Sequence, residues 1–320
     1  KLLREQTKAD RDLLVNQVLF EASLAYFQWL QDYQDSQILN NFFTSAQMRF
    51  EGVRTTALAG EIAAIDTVEA KIAVQNRALD LEKAKVRFIK SSLELSNFLW
   101  LGDNLPVELN PNVIPDVGLG KDIDATLEIL GKPLDSFNLD NHPKLRSLGY
   151  KIDGLTVDKR LKANKLLPTI DLEYNIITSE PIAINAFEPQ DYKGGLSINL
   201  PLFLRKERGD LKLAKIKLED AKFEMDNAQI QIKNKIVAIF RELESFDKQN
   251  NLIDDIVGNY NIMLAAEERK FSYGESSLFL INTRESKLID AKLKQNEVQN
   301  KYYSAKAKLF NSLAVNPEKM

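Results

Sequence analysis

Residues 168–177, PTIDLEYNII, and 194–200, GGLSINL, break the pattern of everything around them. In the first, Ile170, Leu172, Tyr174 and Ile176 alternate with Thr169, Asp171, Glu173 and Asn175; in the second, Leu196, Ile198 and Leu200 alternate with Ser197 and Asn199. A period of two belongs to β-strands, whose successive side chains point to opposite faces. Segment 168–201 therefore predicts an antiparallel hairpin, apolar on one face and polar on the other, joined by the loop TSEPIAINAFEPQD (178–191). Such an apolar face either covers a core or, in an outer-membrane barrel, meets lipid while the polar face lines water. Tyr174 and Tyr192 suit interfacial positions in either setting.

Outward from this ribbon the period changes. Nine of the ten prolines fall between Pro106 and Pro201, leaving residues 1–105 and 202–316 without one. Proline costs about 3 kcal/mol inside a helix, so both arms predict long helices. In the first arm Val68, Ile72, Gln75, Leu79, Glu82, Val86, Ile89, Leu93 and Ser96 alternate spacings of four and three, the rhythm of a coiled-coil seam. The second arm repeats it at Leu218, Ala221, Met225, Ala228, Ile232, Lys235, Ile239, Glu242 and Phe246. It does so again at Ala291, Gln295, Val298, Tyr302, Ala305, Leu309 and Ser312. A helix from Lys206 to Arg269 would run roughly 95 Å at 1.5 Å per residue.

Each arm is interrupted once, by AQMRFEGVRTTALAGEIAAIDTVEAK (46–71) and by AAEERKFSYGESSLFLINTRESK (265–287). Setting Gly60-Glu61 on Gly274-Glu275 gives a shift of 214, which also places Tyr26 on Phe240, Trp29 on Leu243 and Ala22 on Ile236. The chain is thus two copies of one helix–turn–helix unit, with glycine where the chain reverses and a positive φ is needed. Between the arms, LGDNLPVELNPNVIPDVG (101–118) is a connector and DIDATLEILGKPLDSF (122–137) a short helix. NHPKLRSLGYKIDGLTVDKRLKANKLL (141–167) then resumes helical character. Pro143 suits a helix start, where its missing N–H costs nothing, and His142 is expected to cap it.

The predicted fold class is mainly α: a two-fold internal repeat of long coiled-coil helical hairpins with one antiparallel β-hairpin. Residues 1–99 form the first helical hairpin, with its tip at 49–65, and 100–141 a connector. Residues 142–320 form the second repeat, with the β-hairpin at 168–201, a helical hairpin at 206–314 and a tip at 269–281.

Composition excludes several functions. With no cysteine and one histidine among 320 residues, thiol chemistry, disulfides and His- or thiolate-based metal sites fall away. Forty-three basic residues against 46 acidic ones give no clustered basic footprint for nucleic acid. No stretch approaches the roughly 20 apolar residues of a spanning helix, and the charged start KLLREQTKADRD lacks the character of a signal peptide. Carboxylates are plentiful, yet none is bracketed by the groups that define a catalytic site. An enzyme, a cofactor and a bound metal are not expected.

NHPKL (141–145), LLPTIDLEYN (166–175), GGLSINLPLF (194–203), RKFSYGESSLFLINTRE (269–285) and, in the first copy, GEIAAIDTVEA (60–70) occur in an order that resembles the TolC-type outer membrane efflux protein family. The resemblance implies a homotrimer in a Gram-negative outer membrane, each copy giving four strands to one shared barrel above a periplasmic cylinder of helices. It implies a passive exit duct for a tripartite efflux pump or type I secretion system, fed by an inner-membrane pump through a periplasmic adaptor. On that template Arg49, Phe50, Gly60, Glu61, Arg269, Tyr273, Gly274 and Glu275 are the adaptor-contacting tips. Ile170, Leu172, Tyr174, Ile176, Leu196, Ile198 and Leu200 face lipid, and polar seam residues wet the inner face of the duct.

Two departures matter. The first copy begins inside its descending helix, since Lys1 aligns with Lys215, and lacks a preceding hairpin. The chain therefore resembles a fragment without its signal sequence and first strand pair, and three copies would supply six strands where barrels have eight or more. The acidic pair with which many family members narrow the entrance is replaced by Leu280 and Thr283. Asp66 is the nearest acidic substitute unless, with Glu69, it is a solvated helix face; Asn282, Arg284 and Glu285 offer a different polar constriction, and Leu280 a hydrophobic one. The competing reading is a periplasmic helical scaffold that binds partners without transport.

Overall fold

The structure, a computed structural model, describes residues 1–110, 112–116, 118, 141–176, 192–199 and 203–314. The helices predicted for the arms are α1 (Leu2–Leu58), α2 (Ala64–Ser96), α4 (Arg205–Ser272) and α5 (Leu278–Leu313), with α3 (Pro143–Asn164) between the arms. The shift of 214 carries the end of α1 onto the end of α4 and the start of α2 onto the start of α5, so the internal repeat extends to the helix termini. Among the described residues no helix is long and apolar enough to cross a membrane. The helix expected at 122–137 and the loop expected at 178–191 lie outside the described residues.

The chain divides into two compact units. One comprises Lys1–Asp12 and Leu139–Gln231, the other Leu13–Asn138 and Ile232–Met320.

In the first unit, α3 starts as the sequence predicts. His142 precedes the helix in extended backbone and its Nδ1 accepts the Lys144 N–H at 3.1 Å, with Pro143 at the first helical position. The Ser147 hydroxyl donates to Asp10 at 2.6 Å, and Lys151 reaches Glu224 at 2.6 Å, which ties α3 to the start of α1 and to α4. Beyond α3 lies the ribbon, β3 (Thr169–Ile176) antiparallel to β4 (Tyr192–Asn199). Ile170 stands opposite Ile198, Leu172 opposite Leu196 and Tyr174 opposite Gly194. Cross-strand partners share a face, so the apolar set is continuous across the ribbon.

In the second unit α5 is the hub. It runs antiparallel to α1 and α4 and parallel to α2, and its buried residues enter three apolar clusters. Ile281, Leu288 and Ala291 pack with Val257 and Leu264 of α4; Ile289 with Leu39 of α1 and Leu81 and Ala84 of α2; Leu278 with Val53 and Ala70. Several polar side chains bond from one helix to another. Asn16 and Asn311 each donate a side-chain N–H to the other's carbonyl at 2.8 and 3.4 Å, Gln295 donates to Asp254 at 2.6 Å, and Asn296 to Asp35 at 2.8 Å. Where the sequence predicts a bare connector, Trp100–Leu101 (β1) and Leu105–Pro106 (β2) form a two-residue ladder around a 3₁₀ turn, too short to leave a periodic trace.

The seams have different fates. Those of α4 and α5 face inward: Leu218, Ala221, Ile239, Ala291, Val298, Ala305 and Leu309 are all buried. The seam of α2 faces outward, with Val68, Ile72, Leu79, Val86, Ile89 and Leu93 each at least half exposed. The residues α2 buries are Ala70, Arg77, Leu81, Ala84, Ser91, Leu95 and Ser96; the first six form a second heptad series on another face of the helix, and Ser96 is the last member of the outward seam. Periodicity marks an apolar stripe but does not say which neighbour covers it.

Candidate functional site

Both turns end their leading helix in the same way. The Gly60 and Glu61 N–H groups donate to Ala57 and Thr56 carbonyls at 3.0 and 3.2 Å; those of Gly274 and Glu275 donate to Phe271 and Lys270 at 3.0 and 2.9 Å. This paired closure is the Schellman motif, which needs a left-handed residue at its end, and Gly60 and Gly274 supply it with φ of 79° and 77°. Gly60, Glu61, Arg269, Tyr273, Gly274 and Glu275 are exposed. Phe50 is half buried against Val53, Ala70 and Leu278. Leu58, Ile65, Tyr273 and Phe279, all well over half exposed, leave an apolar surface around the turns.

Arg49 points inward. Its two terminal nitrogens donate to both carboxylate oxygens of Glu285, at 3.1 and 3.2 Å, and it lies 3.7 Å from Glu268. Glu285 is 1% exposed and also has Arg77 at 3.6 Å. A buried carboxylate survives ionised only when paired and hydrogen-bonded, and here α1 and α2 each bring a guanidinium to it. Arg77 further donates to Ser286 at 2.8 Å, while Asn282 accepts from Arg49 at 3.5 Å and donates to Glu69 at 3.3 Å.

The other entrance residues are placed differently. Thr283 turns its hydroxyl back to the Phe279 carbonyl, Arg284 lies 3.7 Å from Glu267, Asp66 is half buried and Leu280 is exposed. Arg77 was the residue missed by reading the sequence. Its signal is a charge in the series 70, 77, 84, 91, where the other members are small.

Midway along the bundle a second buried polar layer joins α1 to α5. Asp32 and Asp35 are both 6% exposed, and Asn300 donates to Gln31 at 2.5 Å. Burial, offset only in part by the Asn296 amide and Arg87, pushes the Asp35 carboxyl up to about 6. Among the described residues no His, Cys, Asp or Glu group could hold a metal ion. An open groove of about 480 Å³ between α1 and α4 is floored by α5, and its lysines are already paired, Lys308 with Glu242 at 3.3 Å and Lys301 with Glu297. It offers no catalytic constellation.

On the ribbon, Ile170, Leu172, Tyr174, Leu196 and Ile198 are 57–79% exposed. Leu200 and the side chain of Ile176 lie outside the described residues.

A family model for outer membrane efflux proteins matches residues 137–315, more than half of the chain. The chain belongs to the outer membrane efflux protein family. The fold of the outer-membrane channel OprN is similar to it with a TM-score of 0.78 at 15% identity, covering 99% of this chain and 70% of that one. The Campylobacter jejuni CmeC outer membrane channel gives 0.75 at 14% identity over 98% and 67%. The outer membrane protein VceC of Vibrio cholerae gives 0.76 at 13% over 97% and 72%. No curated protein matches the chain in sequence. Membership makes this an outer-membrane efflux channel component with no enzymatic activity.

Proposed function

We propose that the full-length protein is the passive exit duct of a tripartite efflux pump or type I secretion system: a homotrimer whose ribbons sit in the lipid of a Gram-negative outer membrane and whose helices stand in the periplasm. The observation that carries this reading is the ribbon. Five apolar side chains in cross-strand register are left exposed, while Asp171, Glu173, Lys193 and Ser197 occupy the opposite face. A soluble domain would cover such a face, whereas lipid covers it in a barrel. A scaffold without transport gives it no cover.

Two further features fit. The outward stripe of α2 repeats in heptads and is suited to a helix of another copy, which supports the trimer. The apolar tips around Gly60 and Gly274 are suited to a periplasmic adaptor that links the duct to an inner-membrane pump. Asp66 and Leu280, near the turns, are the residues we assign to the entrance, with Asn282, Thr283 and Arg284 beside them.

Facing is the test. In the full-length protein, Leu172→Arg and Ile198→Arg are expected to impair outer-membrane assembly, by about 2–4 kcal/mol each if near mid-bilayer, whereas Asp171→Arg and Asn199→Arg are tolerated. Heat-modifiable mobility and surface protease access measure assembly. Equal damage from both faces would end the duct reading.

A further inference from the structure

We propose that the foot of the ribbon carries a basic belt that binds the anionic headgroups of phospholipid in the leaflet facing the periplasm. The inference rests on the reading that lipid covers the ribbon, and it goes beyond that reading by assigning a headgroup chemistry to the helices below.

The overall balance of 43 basic and 46 acidic residues averages out one local concentration. Residues 159–165, KRLKANK, close α3 just before β3, and residues 205–212, RKERGDLK, open α4 just after β4. Together they hold eight cations and two anions, in a chain whose net charge is −3. The pairing of Lys162 with Asp210 at 3.8 Å sets the two stretches side by side. Among the described residues that is the only ion pair either stretch makes. Arg160, Lys165, Arg205, Lys206, Arg208 and Lys212 are all exposed.

Helix stability accounts for half of this charge at most. Lys162 and Lys165 suit the negative end of the α3 dipole. At α4 the sign is reversed: Arg205, Lys206 and Arg208 sit in the first turn, at the positive end of the dipole, where cations are unfavourable and only Glu207 answers them. Arg205, Arg208 and Lys212 follow at spacings of three and four, so they share one face of the helix. A helix that begins against its own dipole, with its cations aligned and unpaired, is arranged for an anion outside the chain.

Position identifies that anion. Leu167 and Phe203, between the belt and the ribbon, are 58% and 84% exposed, and the apolar face of the ribbon begins beyond them. Apolar strand, exposed bulky apolar residue and then cation is the order of a chain passing from hydrocarbon to headgroups. At 1.5 Å per residue the belt is about 10 Å deep, against a headgroup layer of roughly 5–8 Å and a screening length of about 8 Å. Its cations thus lie within reach of the phosphates of one leaflet. A dissolved anion or a nucleic acid would leave Leu167 and Phe203 uncovered. Each cation near an anionic surface strengthens attraction about fivefold.

Brominated lipids test the belt in the full-length protein. Phe203→Trp puts an indole at the belt, and Leu172→Trp puts one on the lipid face of the ribbon. In phosphatidylcholine vesicles doped with equal amounts of brominated phosphatidylglycerol or brominated phosphatidylcholine, Phe203→Trp is expected to be quenched at least about twofold more by the anionic lipid, and Leu172→Trp equally by both. Adding Arg205→Gln, Arg208→Gln and Lys212→Gln is expected to bring the ratio at Phe203→Trp to one. Arg205→Lys with Arg208→Lys is expected to keep the preference, and high salt to weaken it.

A ratio of one before the glutamines are added, or a preference that they leave unchanged, would overturn the proposal. Loss of anion selectivity in planar bilayers on adding the glutamines, with a lipid ratio of one throughout, would do the same by placing the belt in the wall of the duct. Should neither lipid quench Leu172→Trp, the ribbon lies outside the membrane and the duct reading fails. Equal quenching there, with no preference at Phe203→Trp, removes the belt alone.

Discussion

The turns Ala59–Ala63 and Tyr273–Ser277 share a backbone and differ in almost everything attached to it. Both close through the same pair of hydrogen bonds onto a glycine near φ 80°. The second helix to follow begins at Ser277, whose hydroxyl accepts the Leu280 N–H at 3.4 Å, whereas the equivalent Ala63 has no side-chain cap. About two turns further, Glu285 is the most deeply buried charge near either tip, while Lys71 at the matching position is exposed. Duplication has preserved what the backbone requires and left side-chain chemistry free to diverge. The second copy carries the anion and the first copy the cations that bind it.

That asymmetry is most sharply tested at its largest element. Glu285→Ala takes the shared carboxylate from the buried Arg77 and the half-buried Arg49, leaving Arg77 only the Ser286 hydroxyl and Arg49 the more distant Glu268, and is expected to cost about 3–5 kcal/mol in urea unfolding. Lys71→Ala, at the matching place in the other copy, is expected to stay within about 0.5 kcal/mol. Similar losses at both positions would mean that the copies share the load and that the tips differ only in appearance.

The parts of this molecule that could be read in advance are those fixed by local chemistry. Gly60 and Gly274 announce themselves because only a residue without Cβ takes φ near 80° cheaply; the ribbon does so through its period of two, and His142 by its place before Pro143. What could not be read depends on partners distant in sequence. Val68 through Leu93 and Ala70 through Leu95 are both heptad series on α2, and nothing within α2 says which of them α5 will cover. Arg49 looks like a tip residue until Glu285, 236 positions away, is placed beside it. Asp35 looks like any helix-surface carboxylate until Asn296 and the burial around it are known.

Asp35 gives the next largest contrast, because the matching residue of the second copy is the exposed Gln249. Burial holds the Asp35 carboxyl at about 6 against an ordinary 3.8. The folded chain therefore binds this proton more tightly than the unfolded one. The stabilisation is complete below about pH 4, declines as pH rises and is gone above the folded value near 6. About two units correspond to roughly 3 kcal/mol. Asp35→Asn is expected to flatten this part of the stability profile between pH 4 and 7, and Gln249→Glu to leave it unaltered. A wild-type profile that the substitution does not change would place the proton elsewhere.

The glycines test the shared backbone. An added Cβ at Gly60 or Gly274 meets nothing within 4 Å, so Gly→Ala carries only the left-handed penalty, about 1–2 kcal/mol. The two costs are expected to agree within about 0.5 kcal/mol. A clear difference would show that the tips are not conformational equals despite their matching φ values.

The smallest contrast is the cap. Ser277→Ala is expected to cost about 0.5 kcal/mol, the low end for an N-cap, because its hydrogen bond is long at 3.4 Å. The converse change, Ala63→Ser, supplies a hydroxyl where α2 begins with orphan N–H groups, and its residue already has extended backbone at φ −70° and ψ 143°. Ser277 sits at φ −118° and ψ 156°, a different aim for the same hydroxyl. If Ala63→Ser gains as much as Ser277→Ala loses, the copies differ at this position only by the side chain. If it gains nothing, the first turn has drifted in backbone as well, and the start of α2 is held by Ile62 and Val53 packing around Ala70 and Leu278 instead of by a cap.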